Sequence, residues 1–156
     1  KAGVANRPHI KTHKSPLLAQ MQIKAGAQGI TCQKLGEAEV MADAGITDIL
    51  IATNLMGAAR SGSLANLQRR LPLKVCSDNV VSLSAYATCA QQANRVIDVV
   101  IECDTGQKRA GVETPNEAIK LIRRIHNDPW LQFAGLLYYP SLDGWYDVQV
   151  FHDKML

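Results

Sequence analysis

Ile97-Asp98-Val99-Val100-Ile101-Glu102-Cys103-Asp104-Thr105-Gly106 is a β-branched, largely apolar run that stops abruptly at a turn. Such a run reads as a buried strand of a parallel sheet, because helices covering both faces remove the need for strict polar alternation. Ile49-Leu50-Ile51 and the stretch from Leu73 to Cys76 have the same character. Working outward from them, strands are expected over 8–11, 28–32, 48–53, 73–77, 97–103 and 133–139. Helical patterns lie between them. Leu35, Ala38, Val40, Met41 and Ala44 form a stripe of roughly 3.6-residue period that ends at Gly45. Asp78 or Asn79 can cap a helix carrying Val81, Leu83, Ala85, Tyr86 and Cys89. Thr114-Pro115-Asn116-Glu117 reads as a capping box with proline at the first helical position, and Ala118, Leu121, Ile122 and Ile125 form the buried face behind it.

Alternating strands and helices predict an α/β fold with a parallel sheet. Strand starts spaced roughly 20–35 residues apart suit the units of a (β/α)8 TIM-type barrel. About six units are present where a closed barrel has eight in about 250 residues. The chain has 156 residues and opens on Lys1, so a partial barrel is expected, with an open flavodoxin-like sheet as the alternative. The expected division is a barrel domain over 1–140 and an aromatic-rich tail over 141–156; seven of the eight aromatics lie in the last 27 residues.

A hydrophobic content of 47%, with 20% charged residues, describes a globular chain rather than a disordered one. The net charge of +3 is mild and scattered, which argues against nucleic-acid or membrane-surface partners. No apolar run is long enough to span a bilayer. The four cysteines, Cys32, Cys76, Cys89 and Cys103, form no C-x-x-C pair, and reduced thiols in a cytoplasmic protein are expected.

Two stretches carry chemistry. The first is Arg7-Pro8-His9-Ile10-Lys11-Thr12-His13-Lys14. By composition alone it is a solvated basic turn. Pro8 keeps it out of a helix interior, so an extended strand entering a loop is expected, with Lys11 at its carboxyl end, where barrel enzymes place reacting groups. Arg7 and Lys14 are expected to add positive charge beside that amine. His9 and His13 have the spacing of a helical zinc pair, but Pro8 argues against the helix and no third ligand stands nearby.

The second stretch, Glu102 through Val112, contains Asp104-Thr105-Gly106 and Arg109. One such triplet within β/α periodicity is no aspartic-protease dyad, which needs two carboxylates sharing a proton. Read locally, Arg109 is a loop arginine paired with Asp104 or Glu113. Asn54 follows the 48–53 strand, where turn chemistry alone accounts for an asparagine. Ser77-Asp78 is explained by helix capping.

Together these stretches resemble the D-threonine aldolase and D-serine dehydratase group, fold-type III enzymes on an alanine-racemase-like barrel. The resemblance runs from Arg7 to about Tyr139. It implies pyridoxal 5'-phosphate held as a Schiff base by Lys11, with Lys14 the alternative. It further implies His9, Asn54, Arg109 and Tyr139 around the cofactor, Arg109 reaching the ring hydroxyl or nitrogen. Ser141 stands where such enzymes carry glycine after Tyr139-Pro140, and Gln107-Lys108 crowds the turn before Arg109. The stretch 36–39 matches as a helix start. The implied activity is retro-aldol cleavage of D-3-hydroxy amino acids to glycine and an aldehyde. Dehydration, racemisation, or cofactor binding without catalysis are the alternatives. A divalent metal is implied in a C-terminal domain beyond this chain, with a small D-amino acid as partner and a homodimer as the assembly to test.

Overall fold

The computed structural model describes residues 3–55 and 57–140. Five strands form one parallel sheet: β1 (Ile30–Cys32), β2 (Ile49–Ile51), β3 (Leu73–Ser77), β4 (Ile97–Cys103) and β5 (Leu131–Tyr138). The expected tail, 141–156, lies outside the described residues. Helices α1 (Pro16–Lys24), α2 (Leu35–Asp43), α3 (Ala58–Arg70), α4 (Val80–Ala93) and α5 (Pro115–His126) alternate with the strands.

The spatial order β1-β2-β3-β4-β5 is the sequence order, and every neighbouring pair is parallel. A doubly wound sheet reverses its strand order at a switch point. This one never does. It is the wall of a partial (β/α) barrel, and the flavodoxin-like alternative falls.

Alternation along the strands builds two apolar layers. Ile49, Ile51, Leu73, Val75, Ile97, Val99 and Ile101 face the helices in the main core. Leu50, Cys76 and Val100 form a smaller cluster on the other, concave face, with Leu137 packed against it. Thr31 and Glu102 are buried with them in polar exception.

Sequence expectation and structure differ first at residues 8–11. The strand there shrinks to one bridge, His9 to Thr31, with the Thr31 amide donating to the Pro8 carbonyl at 2.8 Å. His9 Nδ1 then accepts from the Lys11 amide, and the chain turns into a short 3₁₀ helix, Ile10–Thr12. A side chain that satisfies a backbone donor locally competes with the sheet ladder, and here it wins.

Caps follow the sequence closely elsewhere. Asn79 rather than Asp78 caps α4, accepting from the Ser82 amide at 2.9 Å. Both halves of the Thr114–Glu117 capping box are present. Helices α1 and α3 were not among the expected elements. Ser15 caps α1 with Pro16 at its first position, a signal of the same kind as that of α5. Among the described residues, no helix is long and apolar enough to cross a membrane.

Candidate active site

The short 3₁₀ helix before α1 lifts Lys11 to the carboxyl ends of the strands. A cavity of about 240 Å³ opens there, lined by His9, Lys11, Glu102, Arg109, Tyr138 and Tyr139, with Thr31 and Leu50 also on its wall. Lys11 Nζ lies 5.7 Å from the centre of the Tyr139 ring and the Arg109 guanidinium carbon 5.0 Å from it. One aromatic ring therefore takes two cations, each at cation–π range. Neither cation makes an ion pair among the described residues.

The cations expected to flank Lys11 are otherwise engaged. Arg7 turns to the opposite end of the sheet and binds Asp48 through two hydrogen bonds of 2.9 and 2.8 Å. Lys14 pairs with Glu37 at 3.4 Å. Burial pushes the His9 imidazole below its ordinary range and the Lys11 charge adds to this, outweighing hydrogen bonds that act the other way. With Nδ1 accepting from the Lys11 amide, the neutral ring carries its proton on Nε2. His13 spends its Nδ1 on the Ser15 amide at 3.0 Å and does not line this cavity.

The Arg109 loop is built by its own motif. The Asp104 carboxylate accepts from the amides of Gly106 (3.0 Å) and Lys108 (3.1 Å). Amides and carbonyls of Glu102, Asp104 and Val112 close the loop at 2.9 Å. Thr105 and Gln107 side chains donate to the Tyr139 and Pro140 carbonyls at 2.8 and 3.3 Å, tying the loop to the end of β5. Gln107-Lys108 is accommodated with Lys108 at φ 50°. The local pairing of Arg109 with Asp104 or Glu113 does not form.

Asn54 is not on the wall of the cavity beside Lys11, though Gln33 lines both that cavity and the one beside Asn54. Asn54 lines a cavity of about 530 Å³ with Gln33, Lys34, Glu39 and Arg60. Its amide donates to Asp78 Oδ1 at 2.9 Å, and Asp78 Oδ2 accepts from the Gly111 amide at 2.9 Å. Asp78, expected only to cap a helix, instead joins the loops after β2, β3 and β4. Sequence reasoning passes over a second residue, Glu102. It is 7% exposed, and the Cys76 thiol donates to it at 3.7 Å. Burial raises its carboxyl above the usual range and the Asp78 charge raises it further, against the Cys76 bond and the Arg109 charge. A carboxylate sharing the inward face with Val100 in an apolar strand is the signal that could have found it.

Comparison with known proteins adds a lineage to this geometry. The family described as "Alanine racemase, N-terminal domain" matches residues 2–147. A D-threonine aldolase of an Arthrobacter species is 41% identical over 136 residues, covering 87% of this chain and 36% of that protein. A D-threo-3-hydroxyaspartate dehydratase of a Delftia species is 37% identical over 136 residues, covering 86% and 36% respectively. The crystal structure of D-threonine aldolase from Filomicrobium marinum superposes with a TM-score of 0.86 at 39% identity, over 89% of this chain and 38% of that one. The chain thus spans a little over a third of the length of these relatives.

Proposed function

Because the chain belongs to the alanine racemase N-terminal domain family, we propose that it supplies the cofactor-binding part of a pyridoxal-phosphate-dependent lyase acting on D-3-hydroxy amino acids. The reading rests on one observation above all: Lys11 and Arg109 approach the same Tyr139 ring beside one cavity at the carboxyl end of the sheet. That is the end at which barrel enzymes carry out chemistry.

The residues present suit the cofactor. An anionic aromatic aldehyde needs an amine to join, counter-charge and a flat wall. Lys11 offers an amine committed to no carboxylate. Arg109 offers a fixed fork of donors for the ring hydroxyl or nitrogen. Tyr139 offers the flat wall. His9, held neutral, presents its Nε2–H as a hydrogen-bond donor without adding charge beside Lys11. When bound, pyridoxal phosphate supplies an electron sink for carbanion character at the substrate's α-carbon. Leu50 and Leu137 give the cavity an apolar wall, beside which charges interact more strongly than in bulk water.

The divalent metal implied by the resemblance finds no ligand set here: among the described residues, no three His, Cys, Asp or Glu side chains gather to hold one. The proposal assigns that ion to a further domain. A cytoplasmic location fits four free cysteines. Aldol cleavage is the first reading, since the aldolase relative is 41% identical and the dehydratase 37%.

The test uses the whole protein. Pyridoxal phosphate is added, its absorbance recorded, and borohydride used to fix it for peptide mapping. Lys11 should carry the pyridoxyl group, and Lys11→Ala should lose the band and reduce turnover by at least about 1,000-fold. A band that survives in Lys11→Ala moves the site to Lys14 and breaks the proposal. With D-threonine, glycine and an aldehyde mark the aldolase; ammonia and a 2-oxo acid mark the dehydratase.

A further inference from the structure

Asp78 carries more bonds than a helix cap needs. Asn79 caps α4 through the Ser82 amide, which leaves the Asp78 carboxylate free for other partners. Its Oδ1 accepts from the side-chain amides of Asn54 at 2.9 Å and Asn79 at 2.7 Å. Its Oδ2 accepts from the Gly111 backbone amide at 2.9 Å. The Asp78 backbone amide in turn donates to Asn54 Oδ1 at 3.3 Å. Asn54 and Asp78 thus hold each other by two bonds of opposite direction. That needs a donor and an acceptor together at position 54, as an amide side chain has.

What the two residues fasten is the base of the loop after β4. That loop closes on itself through Glu102, Asp104 and Val112, and reaches the end of β5 through Thr105 and Gln107. Neither set of bonds ties it to the strands on its other side. The bond from Gly111 to Asp78 does, and Asn54 carries that tie on to the loop after β2. A carboxylate that accepts from a backbone amide makes a charge-assisted bond, stronger than one between neutral groups. Neither Asn54 nor Asp78 lines the cavity beside Lys11, so whatever they contribute there passes through the loop. The loop carries Arg109, two residues before Gly111, and Thr105 in it binds the Tyr139 carbonyl.

We propose that Asn54 and Asp78 form a positioning pair, which fastens the loop after β4 to the loops after β2 and β3 and so fixes the wall that Arg109 and Tyr139 give the cofactor cavity. Asn54 thereby acts on the cofactor at two removes instead of touching it. The consequence for cofactor binding rests on the pyridoxal-phosphate reading above and deepens it; the fastening itself does not.

Two measurements on the whole protein test the pair. The first is hydrogen exchange in wild type and Asp78→Ala before cofactor is added. Exchange should rise at residues 104–111 and stay as in wild type along β1. No rise at 104–111, or an equal rise at both places, overturns the fastening. The second is a double-mutant cycle, with pyridoxal phosphate affinity read by absorbance titration in wild type, Asn54→Ala, Asp78→Ala and the double variant. Asp78→Ala should weaken binding about tenfold and Asn54→Ala about threefold. The double variant should bind no more weakly than Asp78→Ala alone, because Asn54 acts through Asp78. The same Asn54→Ala penalty in both backgrounds would mark a direct cofactor contact and overturn the pair, as would no loss in either single variant. Asp78→Asn, which keeps the shape and one acceptor oxygen, carries both measurements should Asp78→Ala not fold. Failure of the wild type to take up cofactor at Lys11 is a different result: it overturns the reading of the site, while the exchange measurement still decides whether the pair fastens the loop.

Discussion

Asp48 and Glu102 stand at opposite ends of the same parallel sheet, and the fold treats their carboxyl groups differently. Asp48, just before β2, receives two bonds from Arg7 and a third from Lys74 at 3.1 Å. Burial would raise its carboxyl, but the Arg7 and Lys74 bonds and charges more than offset that and hold it below the ordinary range. Glu102, near the end of β4, receives one weak bond and is pushed up. The first group is saturated, and it closes the amino end of the wall. The second lines the cavity that also takes in Lys11 and Arg109. Three strong bonds at one end thus stand against a single weak one at the other.

Each end also contains a glycine that cannot bear a side chain, and replacing these gives the largest expected effects. A Cβ on Gly111, at φ 101°, would stand 2.5 Å from the Asp104 amide nitrogen and 2.6 Å from the Cys103 carbonyl carbon. Both atoms are backbone, so the loop must move. Gly111→Ala should cost about 3 kcal/mol in urea unfolding and take the Arg109 loop away from Tyr139. A Cβ on Gly29 would stand 2.6 Å from the Asp48 carbonyl oxygen and collide with the Arg7–Asp48 pair. Gly29→Ala should cost a similar amount while leaving the Arg109 loop intact. The contrast lies in hydrogen exchange at residues 104–111, which should rise in Gly111→Ala only. A rise in both would mean that the two ends are coupled.

Asp48→Asn comes next, at about 2 kcal/mol, because it leaves the Arg7 fork and Lys74 without their shared anion in a half-buried setting. The sign with pH follows from the depressed carboxyl. Its contribution is complete above the unfolded-state value and disappears as pH falls through the lower folded-state value. The stability gap between wild type and Asp48→Asn should therefore close in acid. A gap independent of pH would show that the amide loses shape rather than charge.

Strands β3 and β4 are legible to the residue, because an unbroken β-branched run is what two covered faces demand. The turn at residues 8–11 is not, since four residues are too few for a period and the deciding contact is one imidazole on one amide. Helix α3 hides Gly62 and two serines among its apolar positions, which blurs its stripe. Of the site, the proximity of Lys11, His9, Arg109 and Tyr139 is anticipated by their motifs. The amide of Asn54 donates to Asp78, a tertiary contact that local pattern does not encode. Glu102 lies inside the expected strand over 97–103, but which of its faces turns to the cavity is set only by the fold.

Glu102→Gln gives the smallest expected effect, and one opposite in sign to that of Asp48→Asn. A carboxyl whose folded-state value is raised keeps its full contribution below the unfolded-state value and loses it as pH rises through the folded-state value. An amide has no such loss. Glu102→Gln should therefore match the wild type in acid and melt higher as pH rises, by about 1 kcal/mol once the wild-type carboxyl ionises. Removing Arg109 withdraws the one cation that opposes the shift, so the advantage of the amide should grow in the Arg109→Ala background. Melting curves against pH for the four variants read this directly. If wild type instead gained on Glu102→Gln as pH rose, its carboxylate would already be as well satisfied as that of Asp48, and the asymmetry between the two carboxyl groups would be gone.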